Sequence, residues 1–416
     1  MHLSKILACG FLSLACSCYA FEIPQSRRAF TKEAISIGIT STLFPSISNA
    51  KGELPTDKQD ISYLAYEVIP DAAKLSPSIK QIDAQKFVKQ SIFQNRKKQQ
   101  GGVVWLGEHH NSQKDHLLQA YFIENLYKQR GNNQKMSIGL EQIQVQFQPV
   151  LDAFVDGKIT EEEMLEQCQW STRWTWPYEN YRPVFQLARD LKIPLIALNV
   201  NSEDLAKVEV DGLQGLPIST MKKYIKNPTL FSNFVSSTAF KAYSAYVIEP
   251  SYDLHKEMGI LRTTIAGQQL EEDMTFRNFL SGRILWDESM AGNAYQWTKE
   301  NEGGLMIGLI GADHVKFNKG VVGRYQRLVE NYQQKENKPF GDSINTSVLL
   351  NPTLIDTRPS GTADAYMNAY SSQFPDQLTL QLRYLKDGIL PSSPDRALPS
   401  STGGVLPLAD YIVVSA

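Results

Sequence analysis

The chain has 416 residues, with 42 Lys+Arg against 44 Asp+Glu, a formal net charge of −2, and 42% apolar and 21% charged residues. That balance excludes a disordered polyelectrolyte and offers no basic block with which to hold nucleic acid. Of four cysteines, Cys9, Cys16 and Cys18 lie in the first twenty residues and only Cys168 lies beyond them. A disulfide scaffold, a Cys-based zinc site and an iron–sulfur cluster in the body of the chain are excluded as well.

Residues 1–50 read as a bipartite targeting region. Lys5 precedes an apolar run over 6–20 that is too short for a membrane span and has the shape of a signal-peptide core. Ser26-Arg27-Arg28-Ala29-Phe30-Thr31-Lys32 then matches a twin-arginine export motif, and Ser48 and Ala50 suit a signal peptidase. Phe21 stands where the transit region of complex plastids begins. Two signals in series imply two membranes, so the expected address is the plastid thylakoid lumen; a secreted or periplasmic protein is the alternative. After cleavage behind Ala50, no apolar run approaches the roughly 18–20 residues of a spanning helix.

Residues 51–100 are expected to form a polar N-terminal extension with one helix near 82–95. An α/β unit follows over 101–350. The run 103–106 between glycines reads as a buried strand, 114–130 as a helix, 137–140 as a second strand and 194–198 as a third. Short helices are expected at 149–156 and 160–167, the latter opened by a Thr160/Glu163 capping box, and another at 184–191. Residues 202–282 read as a helical insertion or cap. Helices at 271–285 and 287–299 lead to the clearest buried strand, 305–310. The segment 351–416 is Pro/Ser-rich and ends in a core strand near 411–414; 347–350 is a further strand candidate. Strands alternating with helices predict a mostly parallel sheet flanked by helices, with a helical cap.

Two motifs share one pattern. Leu106-Gly107-Glu108-His109-His110 follows the first strand of the unit and Ile310-Gly311-Ala312-Asp313-His314 follows the last strong one, each placing Gly-x-x-His at a strand end. Ligands of parallel α/β sheets bind beyond the carboxyl ends of the strands, so His110 and His314 are expected to converge. Four of the six histidines, His109, His110, His116 and His314, lie in or near these motifs. Glu108 and Glu141 join them at the same edge, able to orient an imidazole, act as a base or ligate a metal. The plainer role for Glu141 is an acid at a helix start, and for Asp287 a helix cap. Trp170, Trp174, Trp176, Tyr178 and Tyr181 crowd into twelve residues, either walling a pocket for a flat apolar cofactor or filling core.

Taken in order, these blocks resemble the ChaN-like haem-binding uptake family of the Tiki/erythromycin-esterase superfamily. The resemblance rests on Leu106-Gly107-Glu108-x-His110 with His116 and Gln119, on Leu140-Glu141 with Gln148-Pro149, and on Trp174-x-Trp176 with Tyr178 and Tyr181-Arg182-Pro183. Trp286-Asp287-x-x-Met290-Ala291 and Gly311-x-x-His314 complete it, and it covers roughly residues 100–350. It implies an α/β core with a helical cap and the binding of haem or a related tetrapyrrole, with His116, Trp174, Trp176, Tyr178, Tyr181 and Asp287 as cofactor-binding candidates. Related members imply the alternative, a metal- or Glu/His-dependent hydrolase at the same site. Glu108, His110, Glu141 and His314 are its catalytic candidates, and His110, His314 and Glu141 the ligands of a divalent metal. No Gly-x-Ser-x-Gly elbow points to a serine hydrolase. A homodimer is left open.

Overall fold

A computed structural model describes residues 61–74, 76–93, 101–336, 343–353, 378–385 and 403–415. The targeting region, the 51–60 stretch and the Pro/Ser-rich run 386–402 lie outside the described residues.

An eight-stranded sheet forms the frame. In chain order its strands are β1 (Tyr63–Ile69), β2 (Ser78–Ile82), β3 (Gly102–Glu108), β4 (Met136–Gln144), β5 (Leu195–Asn199), β6 (Leu305–Gly311) and β7 (Ile344–Leu350). A separate hairpin pairs β8 (Gln381–Leu385) with β9 (Gly403–Pro407), and β10 (Tyr411–Ser415) returns to the main sheet. The spatial order is β2-β1-β10-β7-β3-β6-β4-β5. The six strands from β10 to β5 run parallel, while β1 joins β10, and β2 joins β1, antiparallel. The fold is α/β with a mostly parallel sheet flanked by helices.

Composition explains the centre. Every residue of β3 and of β6 is buried, as expected for strands covered on both faces. Helices Gln113–Gln129 and Tyr178–Asp190 pack on one face through Leu118, Phe122, Leu126, Val184 and Phe185. Helices Phe276–Glu300 and Val321–Lys335 cover the other, where Met290, Ala291, Ala294 and Tyr325 meet Trp105 and Met306. A Cβ on Gly308 of β6 would lie 2.3 Å from the Trp105 ring, so glycine is what lets this indole cross the neighbouring strand. The helices between Ser202 and Glu257 build a second apolar cluster, with Leu205, Tyr243 and Ile248 against Phe317 and Leu349.

Two local expectations change. The extension supplies more than a helix. Tyr63, Ala65 and Val68 are buried in β1, which docks on the sheet edge, and β2 adds a largely exposed outer strand. A short helix, Ala84–Phe87, follows and continues as a π turn, Val88–Ile92. The expected pair of helices at 271–285 and 287–299 is one helix of 25 residues, Phe276–Glu300, capped by Thr275, so Asp287 lies in mid-helix and caps nothing. This helix buries residues on most of its circumference from Gly282 to Ala294, which blurs the apolar stripe that marks a helix in sequence.

Candidate functional site

The central strands deliver their last residues to one place. Glu108 of β3 is in register with Gly311 of β6, and Leu140 of β4 with Leu309. Beyond Leu140 the pairing of β4 with β5 shifts register before resuming at Gln144, and such an irregularity re-aims side chains. Glu141 and Gln142, adjacent in the strand, both reach the site from there.

Two carboxylate–imidazole units meet at this edge. In the first, Glu108 is fully buried and accepts from His110 Nδ1 (2.8 Å), Gln119 Nε2 (2.6 Å), Tyr181 OH (3.0 Å) and Gln142 Nε2 (3.1 Å). Burial works to raise its pKa, but His116 and His110 outweigh it and hold the carboxyl below its ordinary value. An ionised carboxylate only accepts, so Nδ1 of His110 carries the proton of this bond. His116 Nε2 donates to the His110 carbonyl (3.1 Å) and its Nδ1 faces Gln119 Oε1 (3.1 Å), fixing the loop that carries His110.

In the second unit His314 lies between two acids. Its Nε2 is 3.0 Å from Glu141 Oε1 and its Nδ1 bonds Asp287. Glu141 Oε2 also accepts the Gly311 N–H at 2.6 Å. Burial opposes charge on both partners, yet attraction to Glu141 and Asp287 raises His314 to about 9, and His314, His110 and the Gly311 N–H lower Glu141 to about 2. Behind Asp287, Arg324 is fully buried with its Nε 3.8 Å away, and its Nη1 bonds Glu288 at 3.0 Å. Gly311 separates the units. A Cβ there would lie 3.0 Å from His110 Nε2 and 3.5 Å from Glu141 Oε2.

A small cavity opens against both units. His110, Glu141 and Trp174 line it from the sheet edge, and Glu209, Arg283 and Trp286 from the helices. Its volume is about 50 Å³, room for a water or two and a reacting group. Ligand pockets for cofactor-sized molecules run about 300–1,000 Å³, so this interior does not fit a porphyrin. The aromatic stretch leaves no slot either. Trp174, Trp176, Tyr178 and Tyr181 are 3%, 9%, 4% and 1% exposed. Trp170 packs edge-on against Tyr178 and Tyr181, and Trp174 edge-on against His110.

The structure thus brings Glu108, His110, His116, Tyr181 and Trp174 together, and sets Glu141, His314 and Asp287 beside them. Trp176 adjoins His110 with ring centres 5.9 Å apart, whereas Tyr178 packs toward Trp170 and Phe185. The residues expected as metal ligands, His110, Glu141 and His314, do converge, but His314 is engaged by carboxylates at both nitrogens. Among the described residues no group of three or more His, Cys, Asp or Glu is arranged to hold a metal ion. His109 turns away to Asp115, its backbone and ring nitrogens both 2.8 Å from Oδ2. Sequence reasoning missed Gln142, Arg283 and Glu209. Gln142 had a signal, adjacency to Glu141; a Glu and an Arg on helices look like solvated side chains.

The sequence model of a family described as haem-binding uptake, Tiki superfamily, ChaN, matches residues 95–324. RETICULATA-RELATED 5, chloroplastic, of Arabidopsis thaliana is 24% identical over 245 residues, which cover 56% of this chain and 30% of that protein. The chain therefore matches less than a third of that curated relative's length. Among solved structures, ChaN of Campylobacter jejuni, described with cofacial haem binding, is 13% identical, with 85% of this chain and 97% of that chain covered and a TM-score of 0.45. A mutant of the erythromycin esterase EreC in its open conformation is 13% identical, with 84% and 97% covered and a TM-score of 0.37.

Proposed function

The chain belongs to the ChaN haem-binding uptake family of the Tiki superfamily, and we propose that its buried Glu/His site hydrolyses a small ester-like substrate. The observation that carries this reading is His110, with Nδ1 held by Glu108 at 2.8 Å and the ring among the residues that line a cavity too small for a cofactor. Nε2 takes a proton from a water in the cavity as the water attacks the carbonyl carbon. Glu108 fixes the tautomer and balances the imidazolium that forms. Arg283, also in the cavity wall, faces the negative oxygen that develops. His314 is the fixed cation that keeps Glu141 ionised. General acid–base catalysis by one residue contributes about 10²–10⁴-fold. Purified protein should hydrolyse members of a panel of short alkyl esters, and His110→Ala should lose that factor. No hydrolysis above background, or an unchanged rate in the variant, refutes the reading.

Family membership supports a second property, binding of haem or a related tetrapyrrole. Given the size of the cavity, the porphyrin would lie on the outside of the domain. The residues of the interior then serve it only indirectly, and uptake of hemin should not depend on His110.

The address we infer is the plastid, and within it the thylakoid lumen. Residues 1–50 support this, as does the likeness to a plant protein whose name carries the word chloroplastic. In an import assay with isolated plastids, replacing Arg27-Arg28 by Lys-Lys should strand the precursor in the stroma, because the guanidinium pair is read and not charge alone. Normal arrival of that variant in the lumen contradicts the twin-arginine assignment.

A further inference from the structure

Glu209 belongs to the same cavity and has no part in either carboxylate–imidazole unit. It projects from helix Ser202–Asp211, and one oxygen, Oε2, accepts the Ile265 N–H at 2.7 Å. Its Cγ would be 3.6 Å from a Cβ on Gly282, an ordinary contact, so the side chain packs beside the Phe276–Glu300 helix. The side chain is half-buried and lines the cavity. The charged or titratable groups that share the cavity with it are Arg283 from the long helix and His110 and Glu141 from the sheet edge. Among the described residues none of these forms a salt bridge with it.

We propose that Glu209 is the general acid of this site, the partner of His110, and that it protonates the leaving oxygen of an alkyl ester. The inference rests on the hydrolase reading and specifies its substrate class: esters whose alkoxide leaving group is too basic to depart without a proton. The step balances. Water adds to the carbonyl carbon and gives its proton to His110. As the carbon–oxygen bond to the alkoxy group breaks, Glu209 passes its proton to that oxygen, and the acid and alcohol form. The proton on His110 then returns to Glu209 through water. Its place in the cavity is matched by its electrostatics, since desolvation raises the Glu209 carboxyl to about 8 against the pull of the Ile265 N–H. Glu141, a carboxyl in the same cavity, is held at about 2.

Glu209→Gln keeps the shape and still accepts the Ile265 N–H. It should lower kcat/KM by about 10²–10⁴-fold for alkyl esters. It should change little for nitrophenyl esters, whose leaving group needs no proton, and it should abolish the fall in rate above about pH 8. A merely structural role lowers both substrate classes together and leaves that limb in place, which overturns the proposal. A second readout is independent of activity. The folded-state pKa lies above the ordinary 4.5, so wild-type stability should fall as pH rises from 4.5 through 8, and the Gln variant should lack that component. Identical profiles refute the buried proton. If wild type hydrolyses nothing, the hydrolase reading falls and takes the acid role with it. If His110→Ala is inactive while Glu209→Gln retains full alkyl-ester activity, only the acid role falls.

Discussion

His110 lines the cavity while His314 lies behind Glu141 of its wall; the two play different parts, and the difference lies in what faces their nitrogens. His110 has a carboxylate at Nδ1 alone, and its ring lines the cavity. His314 has carboxylates on both and so holds both protons. The consequence is measurable as a linkage between pH and stability. Glu141, depressed to about 2, stabilises the fold above 4.5, and its contribution is lost as pH falls through 2. His314, raised to about 9, stabilises it below 6.5, and its contribution is lost as pH rises through 9. In urea unfolding across pH, His314→Gln should cost about 3–5 kcal/mol, the usual loss on removing one partner of a buried pair. The gap from wild type should be widest between about 4.5 and 6.5 and close toward both ends. A gap that is constant with pH contradicts the ion pair.

At the scale of elements, legibility followed burial. β3 and β6 are short, wholly buried runs, apolar but for Glu108, and both were evident in the sequence, as was the Gly-x-x-His pattern that ends each. The Thr160/Glu163 capping box was also legible and forms as a reciprocal pair at 3.1 and 2.7 Å, an interaction worth about 1 kcal/mol. β1 and β2 were not legible, because a partly covered edge strand such as Ser78-Ile79-Lys80-Gln81-Ile82 shows no clean alternation. The long helix was divided in reading because its buried middle carries Arg283, Asp287 and Glu288 among apolar residues. Those charges are tolerable only through distant partners, His314 for Asp287, 27 residues on, and Arg324 for Glu288, 36 residues on. Pairings of that kind have no local signature. The convergence of His110 with His314 could be argued from topology, since both follow parallel strands. That His314 would be a structural cation and Glu209 a protonated acid depends on burial and on neighbours from other elements.

For the whole molecule, β10 is threaded between β7 and β1, so residues close to both ends of the described chain complete the sheet that carries the site. The cavity is lined by the cap helices as well as the sheet edge, so in the proposed account hydrolysis lies inside the domain and haem binding outside it. Gly282 offers the means to test them separately. It lines the cavity, and a Cβ there meets only ordinary contacts, 3.5 Å to Leu205 and 3.6 Å to Glu209. Leucine is also favoured over glycine in a helix by about 1 kcal/mol. Gly282→Leu fills the space a substrate needs, and thermal unfolding beside wild type checks that the added carbons are accommodated. The most direct measurement is the alkyl-ester hydrolysis rate of this folded variant beside its hemin titration. The expected result is a rate reduced by at least about 10²-fold, as for a substrate displaced from the reacting groups, with hemin uptake unchanged. Wild-type hydrolysis in Gly282→Leu would contradict the placement of the chemistry in this cavity.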